Sequence, residues 1–239
     1  MRRTILILGV VLLVAGVSHA DILIDFGYRQ HPAAPESDGK YWNEAGRMPA
    51  GTGWLEPTKW DDGAWAYIPM GELVDSAGNA SGSFFRATDI PSTSGNNGPA
   101  NPAYPANVTI DWWNGQGTND PNPAGYKITN LAPGSYDMNI WVGYPSDLMW
   151  TDGAGKYTCQ GQVQTFVDPV PPADTWDPVL LSFTGLVPVG GEIVLWAEKY
   201  IGARGLPANN GIMLMELVPE PATLSLLALG GLLALRRRR

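Results

Sequence analysis

The chain has 239 residues, with 15 basic and 23 acidic side chains and a formal net charge of −8. An acidic surface of this kind repels phosphate backbones and excludes nucleic acid as a natural partner. The single cysteine, Cys159, excludes an intrachain disulfide, so the fold must be held by burial and hydrogen bonding.

In chain order, residues 1–20 read as a secretory signal peptide carrying a signal helix. Arg2 and Arg3 form its charged start, and residues 5–17 are apolar but below the ~20 residues that span a bilayer. Ser18 and Ala20 are the small residues that precede a cut between Ala20 and Asp21. The rest of a twin-arginine motif does not follow the Arg pair, which favours the general export machinery.

The expected boundaries are a signal peptide at 1–20, one domain at 21–217 and a terminal sorting and anchor segment at 218–239. Six basic residues (Arg2, Arg3 and Arg236 to Arg239) and one acid, Glu220, lie in the two ends, so the stretch between them carries 9 basic and 22 acidic residues, a net of −13. The 29 glycines and 21 prolines are spread along the chain, and long apolar stretches of helical period are absent between the ends. Short runs rich in β-branched and aromatic residues recur between turn signals, the pattern of an all-β protein with a single antiparallel sandwich. Strands are predicted near 22–27, 64–70, 83–88, 108–113, 135–144, 157–167, 179–184, 192–198 and 211–217, with a tight turn over Asn130-Leu-Ala-Pro-Gly134. Residues 90–107 and 114–125 read as long surface loops. Cys159 lies in an alternating segment and is expected to be a small buried apolar residue; the alternative is pairing with another chain.

All ten tryptophans lie in the body, at positions 42, 54, 60, 65, 112, 113, 141, 150, 176 and 196. Sugar rings present C–H faces that stack on indole, while carboxylates and amides bind their hydroxyls. Trp42, Trp54, Trp60 with Asp61, Trp113 with Asn114, and Trp150 are therefore the candidate ligand residues. The competing role is packing. It is preferred for the strand residues Trp141 and Trp196, and alternation along 108–113 puts Trp112 rather than Trp113 in the core. For the loop tryptophans 42, 54, 60 and 150 both roles stay open.

Asp120 among Asn114, Asn119 and Asn122 offers oxygen ligands for calcium, as do Asp61 and Asp62, although polar residues of this kind also serve turns. No other cofactor is expected. Enzyme chemistry is poorly served, because His31 is the sole histidine of the body and no nucleophile elbow or phosphate-binding loop occurs. A carboxylate pair of the glycosidase type stays open.

The chain ends with Pro219-Glu220-Pro221, an apolar stretch at 222–235, and Arg236, Arg237, Arg238 and Arg239. Leucines surround a helix drawn over 222–235 instead of striping one side, and the 14 residues reach ~21 Å, short of a ~30 Å hydrocarbon core unless the arginines snorkel. The apolar helix seeks lipid, and the arginines stay on the cytoplasmic side. This layout resembles the PEP-CTERM sorting signal. The resemblance implies an exosortase-type membrane protease as partner, cutting near the tripeptide, and delivery to the cell envelope, cell surface or extracellular matrix.

The body opens with Ile24-Asp25-Phe26-Gly27 and Tyr41-Trp42-Asn43. Its middle runs from Ile128 through Leu131-Ala-Pro-Gly-Ser-Tyr136 to Trp141, and it closes with Gly191 to Trp196 and Asn209-Asn210-Gly211-Ile212. This order resembles the galactose-binding-like and malectin-like jelly rolls, which implies that fold and, often, a structural calcium. The expectation is an exported, non-catalytic β-sandwich that binds glycans at the cell surface or in exopolysaccharide. The alternatives are a structural matrix or coat protein without a ligand, and a carboxylate-dependent glycoside hydrolase or lyase.

Overall fold

A computed structural model of the protein describes residues 20–26, 35–45, 58–60, 67–69, 71–87, 92–94, 112–115, 124–142, 152–167, 179–199 and 208–220. The expected signal helix and C-terminal apolar helix lie outside these residues. Every described element is a β-strand, and two antiparallel-rich sheets pack face to face.

The front sheet runs in the order β13 (Val179–Leu186), β10 (Tyr136–Val142), β15 (Ala208–Pro219), β1 (Ile22–Asp25) and β2 (Asn43–Glu44). The first half of β15 pairs instead with β8 (Trp112–Gly115), which pairs with β7 (Ser92–Ser94). The back sheet runs β12 (Gln162–Val167), β11 (Asp152–Cys159), β14 (Ile193–Lys199), β9 (Ala124–Thr129), β6 (Ala80–Ala87) and β5 (Glu72–Val74). A short parallel contact of Asp152 and Gly153 with Ala208 and Asn209 links the sheets at one corner. β3 (Thr58–Trp60) and β4 (Tyr67–Pro69) form a separate hairpin.

Alternation builds the core. From the front sheet come Ile22, Ile24, Tyr136, Met138, Ile140, Val142, Phe183, Met215 and Leu217; from the back sheet come Phe85, Tyr126, Ile128, Tyr157, Ile193 and Leu195. Phe26, at the end of β1, reaches across to the back sheet. It meets Phe85 edge-on at 5.5 Å and Tyr126 at 5.6 Å between ring centroids, the arrangement that aromatic quadrupoles prefer.

Side-chain amides close both open sides of the sandwich. On one side Gln160, Gln162 and Gln164 extend from the edge of the back sheet to the edge of β13 and its following turn. Gln162 donates to Thr184 O at 2.7 Å and accepts from Thr184 N at 3.2 Å. Gln160 forms the same pair with Val187, at 2.6 and 3.1 Å, and Gln164 donates to Ser182 O at 3.1 Å. Each primary amide copies the donor–acceptor pair of a peptide group, so three glutamines two residues apart act as a neighbouring strand for β13. On the other side buried Asn43 donates to Leu23 O (2.9 Å) and Val74 O (2.8 Å) and accepts from Val74 N (2.8 Å), tying β1 to β5.

Several expectations change. The strand predicted over 157–167 is a hairpin of β11 and β12, turned at Gln160 and Gly161, whose φ values are 47° and 81°. Gly161 takes this left-handed conformation without strain, whereas Gln160 is held there by its two bonds to Val187. β5 and β9 were not expected, and β7 lies inside the stretch read as the loop 90–107. β15 runs to Pro219, past the domain boundary expected at 217. Trp141 and Trp196, expected in the core, both point outward: Trp141 is half-buried and Trp196 is 36% exposed. In each strand the inward positions are taken by smaller neighbours, Ile140 and Val142 beside Trp141, and Leu195 and Ala197 beside Trp196. Cys159 is buried, as its alternation predicts.

Asn43→Ala removes three bonds at a buried site and leaves backbone groups of β1 and β5 unsatisfied. It is expected to lower unfolding free energy by about 3 kcal/mol in chemical denaturation. Replacing Gln160, Gln162 and Gln164 together with alanine is expected to cost about 2 kcal/mol, less per bond because these amides are partly hydrated.

Candidate functional site

Strand direction sorts the molecule into two poles. β1 leaves from, and β15 returns to, the same pole, because Ile22 pairs with Leu217 in antiparallel register. The described tight connections 75–79, 130–135, 160–161 and 187–192 lie at this pole. The opposite pole holds the ends of β6, β10, β12 and β14 and the starts of β9, β11, β13 and β15, which are the strand ends that bound the long connecting segments.

The first pole carries both predicted processing positions. Ala20 and Asp21 immediately precede β1, and Asp21 O accepts from Ser76 N at 2.7 Å. Pro219 pairs with Tyr136 at the end of β15, and Glu220 N donates to Ser135 O at 2.8 Å. The Tyr136 hydroxyl donates to Ala132 O at 3.0 Å and braces the turn that receives Glu220. Between the two chain ends lies a cleft of about 50 Å³ lined by Ala20, Ile22, Asp75, Tyr136, Leu217 and Pro219 among others. A space of that size holds water and is too small for a sugar ring. Pro221 and Arg236 to Arg239 lie outside the described residues.

Of the predicted ligand residues, Trp42 is the one whose side chain is described. Trp42 is buried, with its indole N–H donating to Asp38 at 3.3 Å, so of the two roles left open for it the structure shows packing. Trp60, Trp113 and Asn114 lie on strands described by their backbone alone. Trp54, Asp61 and Trp150 lie outside the described residues, as does Asp120 with the calcium site proposed there. Among the described residues no group of three or more His, Cys, Asp or Glu is placed to hold a metal ion.

The aromatic surface that sequence reasoning missed is centred on Trp196, on the outer face of the back sheet. Its cross-strand neighbours are Gly125 on β9 and Thr158 on β11, and Val163 follows on β12. Gly125 has no side chain of its own on that flank of the indole and is itself buried. Around it stand Lys156, paired with Glu198, and Lys127, which meets Glu192 at 3.2 Å. The result is a sheet face with one large aromatic ring amid charged and hydroxyl groups. The sequence signal was present in the alternation of Ile193-Val-Leu-Trp-Ala197, but both of its faces are apolar and the inward one cannot be told by pattern.

Other described carboxylates serve structure. Asp75 accepts from Ala77 N and Asn79 N within its turn, Glu72 accepts from Gly82 N, and Asp137 accepts from Gly185 N. Burial raises the Glu216 carboxyl above its usual range, opposed by a hydrogen bond with Asn139.

Residues 217–239 match the PEP-CTERM protein-sorting motif, which marks an exported protein sorted to the cell envelope or surface. No curated protein matches the chain. Among solved structures it is similar to a family 35 carbohydrate binding module from Clostridium thermocellum, at 13% identity and TM-score 0.33, over 55% of this chain and 91% of that one. It is also similar to the CBM36-1 domain of a multidomain xylanase from the hindgut metagenome of Trinervitermes trinervoides, at 10% identity and TM-score 0.28, over 56% and 95%. A third likeness is to the Arthrobacter globiformis T6 isomalto-dextranase complexed with panose, at 15% identity and TM-score 0.35, over 83% of this chain and 32% of that one. At these values none passes its ligand or activity to this chain.

Burial pushes the Cys159 thiol up from 9.0 to about 12. The unfolded chain therefore releases this proton near pH 9 while the folded chain keeps it, so stability is unaffected below pH 9 and falls as pH rises toward 12. Buried Tyr126 and Tyr157, also raised, act in the same direction above pH 10. Denaturation curves from pH 8 to 11 are expected to show this decline, with a shallower slope in Cys159→Ala. The native thiol is expected to resist a thiol reagent at pH 8 and to react fully in denaturant.

Proposed function

We propose that this exported protein is a non-catalytic glycan-binding sandwich that works at the cell envelope or in surface polysaccharide. The observation that carries the reading is the indole of Trp196, 36% exposed on the outer face of the back sheet, paired with Gly125 and bordered by Lys156, Glu198 and Thr158. A sugar ring laid on this face meets an aromatic surface below and charged and hydroxyl partners at its rim. Such a shallow site suits an extended polysaccharide better than a small free sugar, which needs a pocket to bury most of its surface. The segments that contain Trp150 and Trp176 join strand ends at the pole opposite the sorting motif. Trp150 and Trp176, with Trp54, Trp60 and Trp113, remain further aromatic candidates.

Pull-down of the mature protein on the host's own extracellular polysaccharide tests this. Binding is expected, with at least a tenfold loss (about 1.4 kcal/mol) in Trp196→Ala at unchanged thermal stability. Absence of binding, or binding indifferent to Trp196, Trp54, Trp60 and Trp113, removes the reading and leaves a structural coat protein. Release of reducing ends from the polysaccharide would instead establish a hydrolase.

A further inference from the structure

Val189 and Val187 are the most exposed of the large apolar side chains described, at 77% and 57%. They share one short turn, Val187-Pro188-Val189, between β13 and β14. The turn is rigid. Val187 is held at both backbone groups by Gln160, and Val189 and Glu192 exchange backbone hydrogen bonds of 3.0 and 3.2 Å around Gly190 and Gly191. Those two glycines have φ of 64° and 80°, the conformation of a tight two-residue hairpin that side chains resist. The valines are therefore displayed by a fixed scaffold and have no way to fold back onto the core.

The turn stands at the pole from which the chain leaves toward its apolar end. Tyr136 pairs with Leu186 on one side and with Pro219 on the other. The residue before the turn and the last residue of β15 are thus two strand spacings apart, ~10 Å. Gly191 O also accepts from Leu131 N at 2.9 Å, in the same connection whose Ser135 receives Glu220. After Glu220, Pro221 alone precedes the apolar stretch that begins at Ala222. The two residue steps from Glu220 to Ala222 span at most ~7 Å, so a lipid surface that receives residue 222 lies close against this pole. The one charge in the turn, Glu192, is paired with Lys127 at 3.2 Å, which lowers the cost of approaching lipid.

We propose that the Val187-Pro188-Val189 turn is a membrane-touching tip that dips into the lipid surface beside the sorting segment. It gives the domain a second contact and holds it upright, with its long connecting segments facing away from the bilayer. The inference rests on residues 222–235 being lipid-seated. A single apolar segment leaves a domain free to swivel, whereas two contacts ~10 Å apart restrict its tilt.

The test uses the full chain reconstituted into phosphatidylcholine vesicles. Single variants Val189→Cys and, as a control at the far end of β12, Val167→Cys carry a polarity-sensitive dye; the native Cys159 is buried and stays unlabelled. Flotation first reports whether the chain is seated in lipid. The dye at 189 is expected to be quenched at least twofold by lipids carrying a shallow spin label, and the dye at 167 to be unaffected. Flotation with equal quenching at both positions, or with none at 189, overturns the tip while leaving the seated segment intact. Failure to float overturns both. Shielding at 189 in lipid-free protein that scales with its concentration would assign the turn to a second copy of the chain and overturn the proposal as well.

Discussion

The antiparallel pairing of β1 with β15 is the constraint on which the rest of the molecule depends. Four residues of one strand match four of the other, from Ile22 opposite Leu217 to Asp25 opposite Leu214. The pairing completes the front sheet at its centre and fixes the register of Ile22, Ile24, Met215 and Leu217 against the core. Because the partners run in opposite directions, it also puts the first residues of the body and the last ones side by side. The start of β1 and the end of β15 therefore lie at one pole of the sandwich.

The same strand carries the sorting tripeptide into the fold. Pro219 is the last residue of β15, and Glu220 is bonded to Ser135. The border between folded body and sorting signal is a shared segment: the last residues of β15, Leu217 to Pro219, are also the first of the sorting motif.

The broad architecture was legible in the sequence, and its reasons are local. Alternation located β1, β10, β13, β14 and the end of β15, and Asn130 to Gly134 marked a turn, because period and turn chemistry depend on neighbours in the chain. The pattern failed where a signal was short or two-sided. Glu72–Val74 has three residues and owes its place to pairing with β6. Tyr157 to Val167 alternates through Gln160-Gly161 as if unbroken, and what turns it is the hold of Val187 on Gln160. Val194 and Trp196 are as apolar as the Ile193, Leu195 and Ala197 they alternate with, so residue type carried no information about which set faces inward. The three bonds of Asn43 across the sandwich edge became visible only with β5 in place.

By itself the sequence determined the all-β class, the sorting motif at 217–239 and the absence of an intrachain disulfide, because each follows from composition, from local period or from a contiguous motif. The tertiary structure decided which tryptophans pack and which face outward, which amides clamp and that the two ends share a pole. Those outcomes depend on strand order, on register and on residues far apart in the chain, such as Gln162 with Thr184 or Trp196 with Gly125, and a linear pattern holds no record of such pairings until the sheets have formed.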